Sequence, residues 1–262
     1  MTILDTIISA KRIEVADKKR RINLRDLEQS PQFKRNVFSL KQFILDPQLT
    51  GIIAEFKRRS PSKGIMNDHS AAADVTRDYA KGGASALSVL TDEGFFGGSE
   101  KDLHDARINN VPVLRKDFII DEFQLVEAKA MGADAILLIA ACLSPAEVKS
   151  LAKLANSLGL EILLELHDEN EMDHINEYTE VVGINNRDLK TFEVDMEKSI
   201  RMSAHIGRAR VKVAESGINT AADVISFRQH GFDGFLIGER FMREKDPGAA
   251  FRNFVTSLKS MA

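Results

Sequence analysis

Beyond residue 50 the chain repeats one pattern: a short β-branched or apolar run, a polar link, a segment with helical spacing of its apolar positions, then a turn. The runs Ile52–Phe56, Ala86–Leu90, Val113–Arg115, Ala135–Ile139, Ile162–Glu165, Val181–Asn185, Val211–Ala214 and Gly234–Ile237 give eight predicted strands. Helical spacing is clear over Glu122–Met131, Ser144–Leu158 and Asn219–His230, and a last helix is expected over Asp246–Ser260. The runs begin 19 to 34 residues apart, room for one βα unit each and too far for hairpins. Ser144-Pro145-Ala146-Glu147 carries the start signals of a helix, with Ser as cap, Pro in the first position and Glu in the first turn. Gly132, Gly159 and Gly231 fall where helices should stop.

Eight such units either close into a barrel or lie open as a doubly wound sheet. An open dinucleotide-binding sheet calls for a G-x-G-x-x-G turn after its first strand, and here that strand runs into Glu-Phe-Lys-Arg-Arg-Ser-Pro-Ser. The expected fold is therefore α/β, a single (β/α)8 TIM barrel over residues 51–262, at the length usual for one. Residues 1–50 contain helical stretches near Leu4–Lys19 and Ser39–Leu45 and are expected to form an extension covering one end of the barrel rather than a separate domain.

Composition narrows the function. Thirty-six Lys and Arg against 39 Asp and Glu leave a net charge of −3, without the basic excess that nucleic acid or an anionic membrane would select. An anionic ligand must then be held by local groups. The longest apolar run, Ala135–Leu143, is nine residues, well short of the ~20 of a membrane span. The first residues put their charges after the apolar stretch, the reverse of a secretory signal, so a cytoplasmic protein is expected. Cys142 is the only cysteine and is read as a small packed thiol, since no histidine can be fixed beside it. The six histidines show no metal-ligand spacing, so no metal is expected; His167, two residues past Glu165, either supports that residue from behind or, on the simpler reading, caps a turn or stands exposed.

Strand parity then gathers a site. Glu55 and Lys57 project to one side at the C-terminal end of the first strand, and the same argument places Lys116 after Leu114, Glu165 after Leu163, and Asn185 with Arg187. Alone, each is an ordinary surface charge. Ending four apolar strands together, they are costly in a core and natural at the catalytic rim of a barrel. Ala214–Ile218 and Leu236–Met242 place Gly217 and Gly238 after the last two strands, with a short helix starting near Glu239: a phosphate cradle in many barrels. The loops Ser60–Gly64 and Glu93–Ser99 read as mobile covers, and Phe95 and Phe96 in the second would suit an aromatic ligand.

These residues resemble indole-3-glycerol phosphate synthases. The motifs are Ile53–Gly64, Leu87–Glu93, Val113–Ile119, Leu163–His167, Gly183–Leu189 and Ala214–Ile218, and the likeness runs from about Leu4 to Met261. The resemblance implies a substrate, 1-(2-carboxyphenylamino)-1-deoxyribulose 5-phosphate, that closes its ring with loss of carbon dioxide and then water. It implies general acid chemistry at Lys116, Lys57 near the substrate carboxylate, general base chemistry at Glu165, support from Glu55, Asn185, Arg187 and Ser216, and phosphate contacts from Ser60, Gly217 and Gly238. Lys57 and Arg187 beside Lys116 would lower its pKa and make it a better acid, with Glu165 facing it from the far side. No redox step occurs, so no cofactor is expected.

One position departs from the family pattern: Glu239 stands where many relatives carry a small hydroxyl residue. A carboxylate aimed at a phosphate would repel it. Glu239 is accordingly expected to turn its side chain to solvent and to contribute only its backbone N–H, with those of Gly217 and Gly238. The remaining expectations are a monofunctional chain and a monomer or weak homodimer. Two rivals stay in view. A phosphoribosylanthranilate isomerase would need its Cys on the first strand rather than after the fourth, and a non-catalytic phosphometabolite-binding barrel would not need Glu55, Lys57, Lys116 and Glu165 together.

Overall fold

The structure, a computed structural model, describes residues 2–188 and 191–261; Leu189, the last residue of the Gly183–Leu189 motif, lies outside them. Eight parallel strands close a barrel: β1 (Ile52–Phe56), β2 (Ala86–Leu90), β3 (Val113–Lys116), β4 (Ala135–Ile139), β5 (Glu161–Leu166), β6 (Val181–Asn185), β7 (Val211–Glu215) and β8 (Gly234–Ile237). Each pairs with its neighbours in sequence, and β8 returns to β1 with Leu236 opposite Ile53. Strands β3, β5 and β7 run one residue further than expected at their C-terminal ends, so Lys116 and Glu215 belong to the barrel wall itself.

Alternation along the strands divides the apolar residues into two clusters. Ile53, Leu114, Leu137, Leu163, Val213 and Leu236 fill the barrel interior. Ile52, Ala54, Phe56, Leu164 and Val182 face outward onto helix residues such as Val148 and Phe227. Glu55 shares the parity of Ile53, and Glu165 that of Leu163, which aims both inward above the interior cluster. The expected caps are present. Ser144 and Glu147 form a reciprocal capping box, and Gly132 ends its helix in the left-handed conformation at φ 90°.

The N-terminal residues form α1 (Ile3–Arg21), α2 (Leu24–Glu28) and α3 (Leu40–Leu45). They cover both ends of the barrel, not one. Ile3, Leu4 and Ile7 of α1 border the cavity at the C-terminal mouth. The buried Lys11 pins that helix to Asp92 and Asp117, just past β2 and β3, at 3.0 Å each. The chain then passes down the outside of the Glu122–Met131 helix, where the Ser30 hydroxyl donates to the Ala130 carbonyl. It ends with Leu40 and Ile44 packed into the interior cluster at the opposite face. There the Phe38 N–H donates to Asp134 and the Lys41 N–H to Glu161, both at strand starts. α1 and α3 serve opposite faces because the segment between them runs the height of the barrel.

The two loops read as mobile covers contain short regular elements. Arg59–Ser60 and Gly64–Ile65 make a small hairpin, and Glu93–Phe96 is a single helical turn capped by Asp92. The Arg59 guanidinium ties them together by donating to the carbonyls of Glu93 and Gly94.

Candidate active site

A cavity of about 490 Å³ opens at the C-terminal ends of the strands. Every residue the sequence proposed for the site lines it: Glu55, Lys57, Lys116, Glu165, Asn185, Arg187 and Ser216, with Ser60, Gly217, Gly238 and Glu239. Its floor is a cluster of carboxylates around one cation. Lys116 Nζ lies 2.9 Å from Glu165 and 3.6 Å from Glu215, while Lys57 pairs with Glu55 at 2.6 Å.

Two expectations about Lys116 are corrected by this geometry. Its immediate neighbours are anions, not cations. Burial opposes its charge, but Glu165, Glu215 and Glu55 outweigh that and hold the ammonium pKa above its ordinary value. Nor does Glu165 face it from the far side; β3 and β5 are separated by one strand, and the two side chains are in direct contact.

Glu165 is almost fully buried, and its carboxylate is held at three points. Oε2 accepts from Lys116, and Oε1 meets His167 Nε2 at 2.7 Å and the Asn185 amide at 3.1 Å. Burial pushes its pKa up, but the Lys116 charge and the His167 bond prevail and hold it well below the usual carboxylate range. Glu215 has the opposite fate. Burial and the charge of Glu165 push it well above that range, with Lys116 opposing, and neither of its oxygens has a hydrogen-bond partner among the described residues. Two carboxyl groups a few ångströms apart, driven in opposite directions, are the usual signature of divided acid and base roles.

Small residues make room for these acids. A Cβ on Gly183 would stand 2.0 Å from Glu215 Oε1, and one on Gly238 would stand 2.6 Å from Glu55 Oε1. After β7 the chain turns through Ser216 (φ 66°) and Gly217 (φ 75°), both left-handed. For a serine that conformation costs on the order of 1–3 kcal/mol. It is held in place by Asn186, whose side-chain amide donates to the Ser216 carbonyl at 2.6 Å.

At the phosphate end the side chain of Glu239 overturns its expectation. It opens the four-residue helix Glu239–Met242 as predicted, but the carboxylate turns into the site, 3.0 Å from Arg187 and 3.7 Å from Lys63. Two cations neutralise it, which removes the electrostatic reason for it to leave. Arg240 and Arg243 border the same end and bond Asn219. On the apolar side Phe96 packs on Phe118 with ring centres 5.9 Å apart, and both line the cavity with Leu137 and Ile139. Phe95 is half-buried and does not line it.

Sequence reasoning missed Glu215, Lys63 and the α1 residues at the mouth. Glu215 could have been found by the parity argument applied to β7, where it follows Val213. Of the two readings of His167 the structure shows the one beside Glu165, not the capping or exposed one: the ring is buried against that carboxylate. Cys142 is half-buried, and burial with the nearby charges of Glu165 and Glu171 pushes its thiol up to about 12, consistent with an inert packed group.

A family model described as indole-3-glycerol phosphate synthase matches residues 4–254. The indole-3-glycerol phosphate synthase of Bacteroides thetaiotaomicron is 46% identical over 258 residues, 98% of this chain and 99% of that protein. That of Burkholderia vietnamiensis is 47% identical over 252 residues, 95% of this chain and 97% of its own. Among solved structures, a chain of a tryptophan synthase a2b2 complex from Pyrococcus furiosus superposes with a TM-score of 0.60 at 15% identity, covering 80% of this chain and 97% of that one. Tryptophan synthase subunit alpha from Legionella pneumophila does so with the same TM-score at 14% identity, over 84% and 97%. At those identities the likeness is one of fold alone.

Proposed function

The chain belongs to the indole-3-glycerol phosphate synthase family, and from that premise we propose how its own residues carry the reaction. The enzyme is a carboxy-lyase of tryptophan biosynthesis. It closes the ring of 1-(2-carboxyphenylamino)-1-deoxyribulose 5-phosphate, releasing carbon dioxide and then water to leave indole-3-glycerol phosphate.

Lys116 is the general acid. As the ring carbon attacks the substrate carbonyl, charge builds on the carbonyl oxygen, and the ammonium donates a proton there. Its high pKa keeps it charged across the physiological range, and Glu215 holds it from a second side. Lys57 anchors the substrate carboxylate until the new carbon–carbon bond forms and the carboxylate leaves as carbon dioxide. Glu165 is the general base that removes the proton in dehydration as the hydroxyl departs. Lys116 must leave Glu165 to reach the substrate, and that departure removes the main cause of the carboxylate's low pKa, so the base becomes stronger when it is needed. Glu55 and Asn185 orient Lys57 and Glu165. Ser60, Ser216 and the backbone of Gly217, Gly238 and Glu239 hold the phosphate, with Lys63 and Arg187 close by, and the anthranilate ring lies against Phe96 and Phe118.

The observation that carries this reading is the placement of Lys116 Nζ on the cavity floor, between the Glu165 and Glu215 carboxylates. Production of the indole chromophore, followed by fluorescence with purified protein and this substrate, tests it; binding without turnover would make the chain a phosphometabolite-binding barrel. Residues 1–262 are read as one domain with residues 1–50 as its extension. The protein is read as cytoplasmic, and as a monomer or weak homodimer; no helix among the described residues is long and apolar enough to cross a membrane.

A further inference from the structure

His167 is buried just past the end of β5, two residues beyond Glu165, and its ring turns back to that carboxylate. Its Nε2 lies 2.7 Å from Glu165 Oε1. Glu165 Oε1 also accepts from Asn185, and Oε2 from Lys116. Ionised Glu165 can only accept, so Nε2 carries the proton. The other ring nitrogen, Nδ1, is buried and has no partner among the described residues. Neutral imidazole with its proton on Nε2 satisfies this geometry, whereas a second proton on Nδ1 would be buried without an acceptor.

The proposed chemistry makes this contact more than packing. When Lys116 turns to the substrate carbonyl, Glu165 keeps only His167 and Asn185, and of these only His167 titrates near neutrality. We propose that His167 is a positioning residue whose protonation state sets the strength of Glu165 as a base: neutral, it holds the carboxylate in place; charged, it weakens the carboxylate's grip on a proton and slows dehydration. This rests on the reading of Glu165 as the base.

The charged groups acting on the ring come from three elements. Glu165 lies on β5, Lys116 on β3, and Glu171 on the turn Glu169–His174, where its carboxylate accepts from the His167 backbone N–H. Burial disfavours the imidazolium and so does Lys116, but Glu165 and Glu171 together hold the ring's pKa above its ordinary value. The switch therefore lies on the alkaline side of a free histidine's ~6.5. The sign follows. Below that pKa the imidazolium pins Glu165 ionised and weakly basic, and kcat is low; above it kcat rises to a plateau.

The test is the kcat profile from pH 5.5 to 9 for wild type, His167→Gln and His167→Ala. Glutamine retains an N–H at the reach of Nε2 and cannot titrate, so its acid limb should move down by at least one pH unit. Alanine loses the donor, and kcat should fall by about tenfold or more with KM within threefold. An acid limb that stays in place in the glutamine variant overturns the proposal, as does a plateau kcat in the alanine variant equal to wild type. Glu165→Gln, measured beside them, separates the two levels: near-normal turnover there removes Glu165 as the base, whatever the His167 variants show.

Discussion

Where the strands begin, the barrel is closed by Leu40 and Ile44, and the buried charge at that face, Asp134, has every lone pair engaged. It accepts from Arg35 at 2.6 Å, from Arg107, and from the backbone N–H groups of Phe38 and Val113 at 2.8 Å each. Where the strands end, Glu215 is just as buried and has no hydrogen bond among the described residues, and both it and Glu165 share one cation, Lys116. The same kind of group, at the same depth, is fully engaged at one end and loosely held at the other. A buried carboxylate with four fixed donors gains nothing by changing partners, whereas one that shares a single cation is free to exchange it or to take up a proton.

The comparison is broken most severely by Lys116→Met, which keeps the length of the side chain and removes its charge. Turnover by indole fluorescence should fall by about 10³-fold or more, equivalent to ~4 kcal/mol of barrier, with substrate still bound; near-normal turnover would remove Lys116 from the reaction. At the other face, Leu40→Ala should cost about 3 kcal/mol in a denaturant titration and leave kcat within twofold. A loss of kcat with unchanged stability there would show that the plug is coupled to the site. Glu165→Gln should lower kcat by about 10²-fold with KM little changed, and an effect confined to KM would make it a binding residue.

Glu215→Gln sharpens the contrast through pH. Its folded pKa is raised, so it supports the fold fully only below the unfolded value near 4.3, and that contribution is lost as pH rises through the folded pKa. At neutral pH the glutamine variant should therefore be more stable, by about 1–2 kcal/mol or a few degrees in Tm, while turnover falls about tenfold. A loss of stability would mean that Glu215 is paired as Asp134 is. The smallest effect is expected at Glu239, whose carboxylate occupies the cations that the phosphate needs. Glu239→Gln should lower KM by about three- to tenfold, because substrate no longer displaces an ion pair. A raised KM would show that the carboxylate is needed to hold Arg187 in place.

The repeat of strand, helix and stop gave the eight barrel strands and their order because each βα unit is encoded locally, by apolar period and by caps such as Ser144 and Gly132. Strand parity also put Glu55, Lys57, Lys116, Glu165, Asn185 and Arg187 on one rim, since alternation is a property of the single strand. What parity cannot supply is which rim residues meet. That Lys116 is ringed by Glu165, Glu215 and Glu55, that Glu239 turns inward to Arg187 and Lys63, and that α1 and α3 serve opposite faces all depend on contacts between residues far apart in the chain, 120 positions for Lys41 with Glu161 and more for Lys63 with Glu239. The charge state of each group followed only then. A pKa is set by burial and by what stands within a few ångströms, and those distances come into being when the barrel closes.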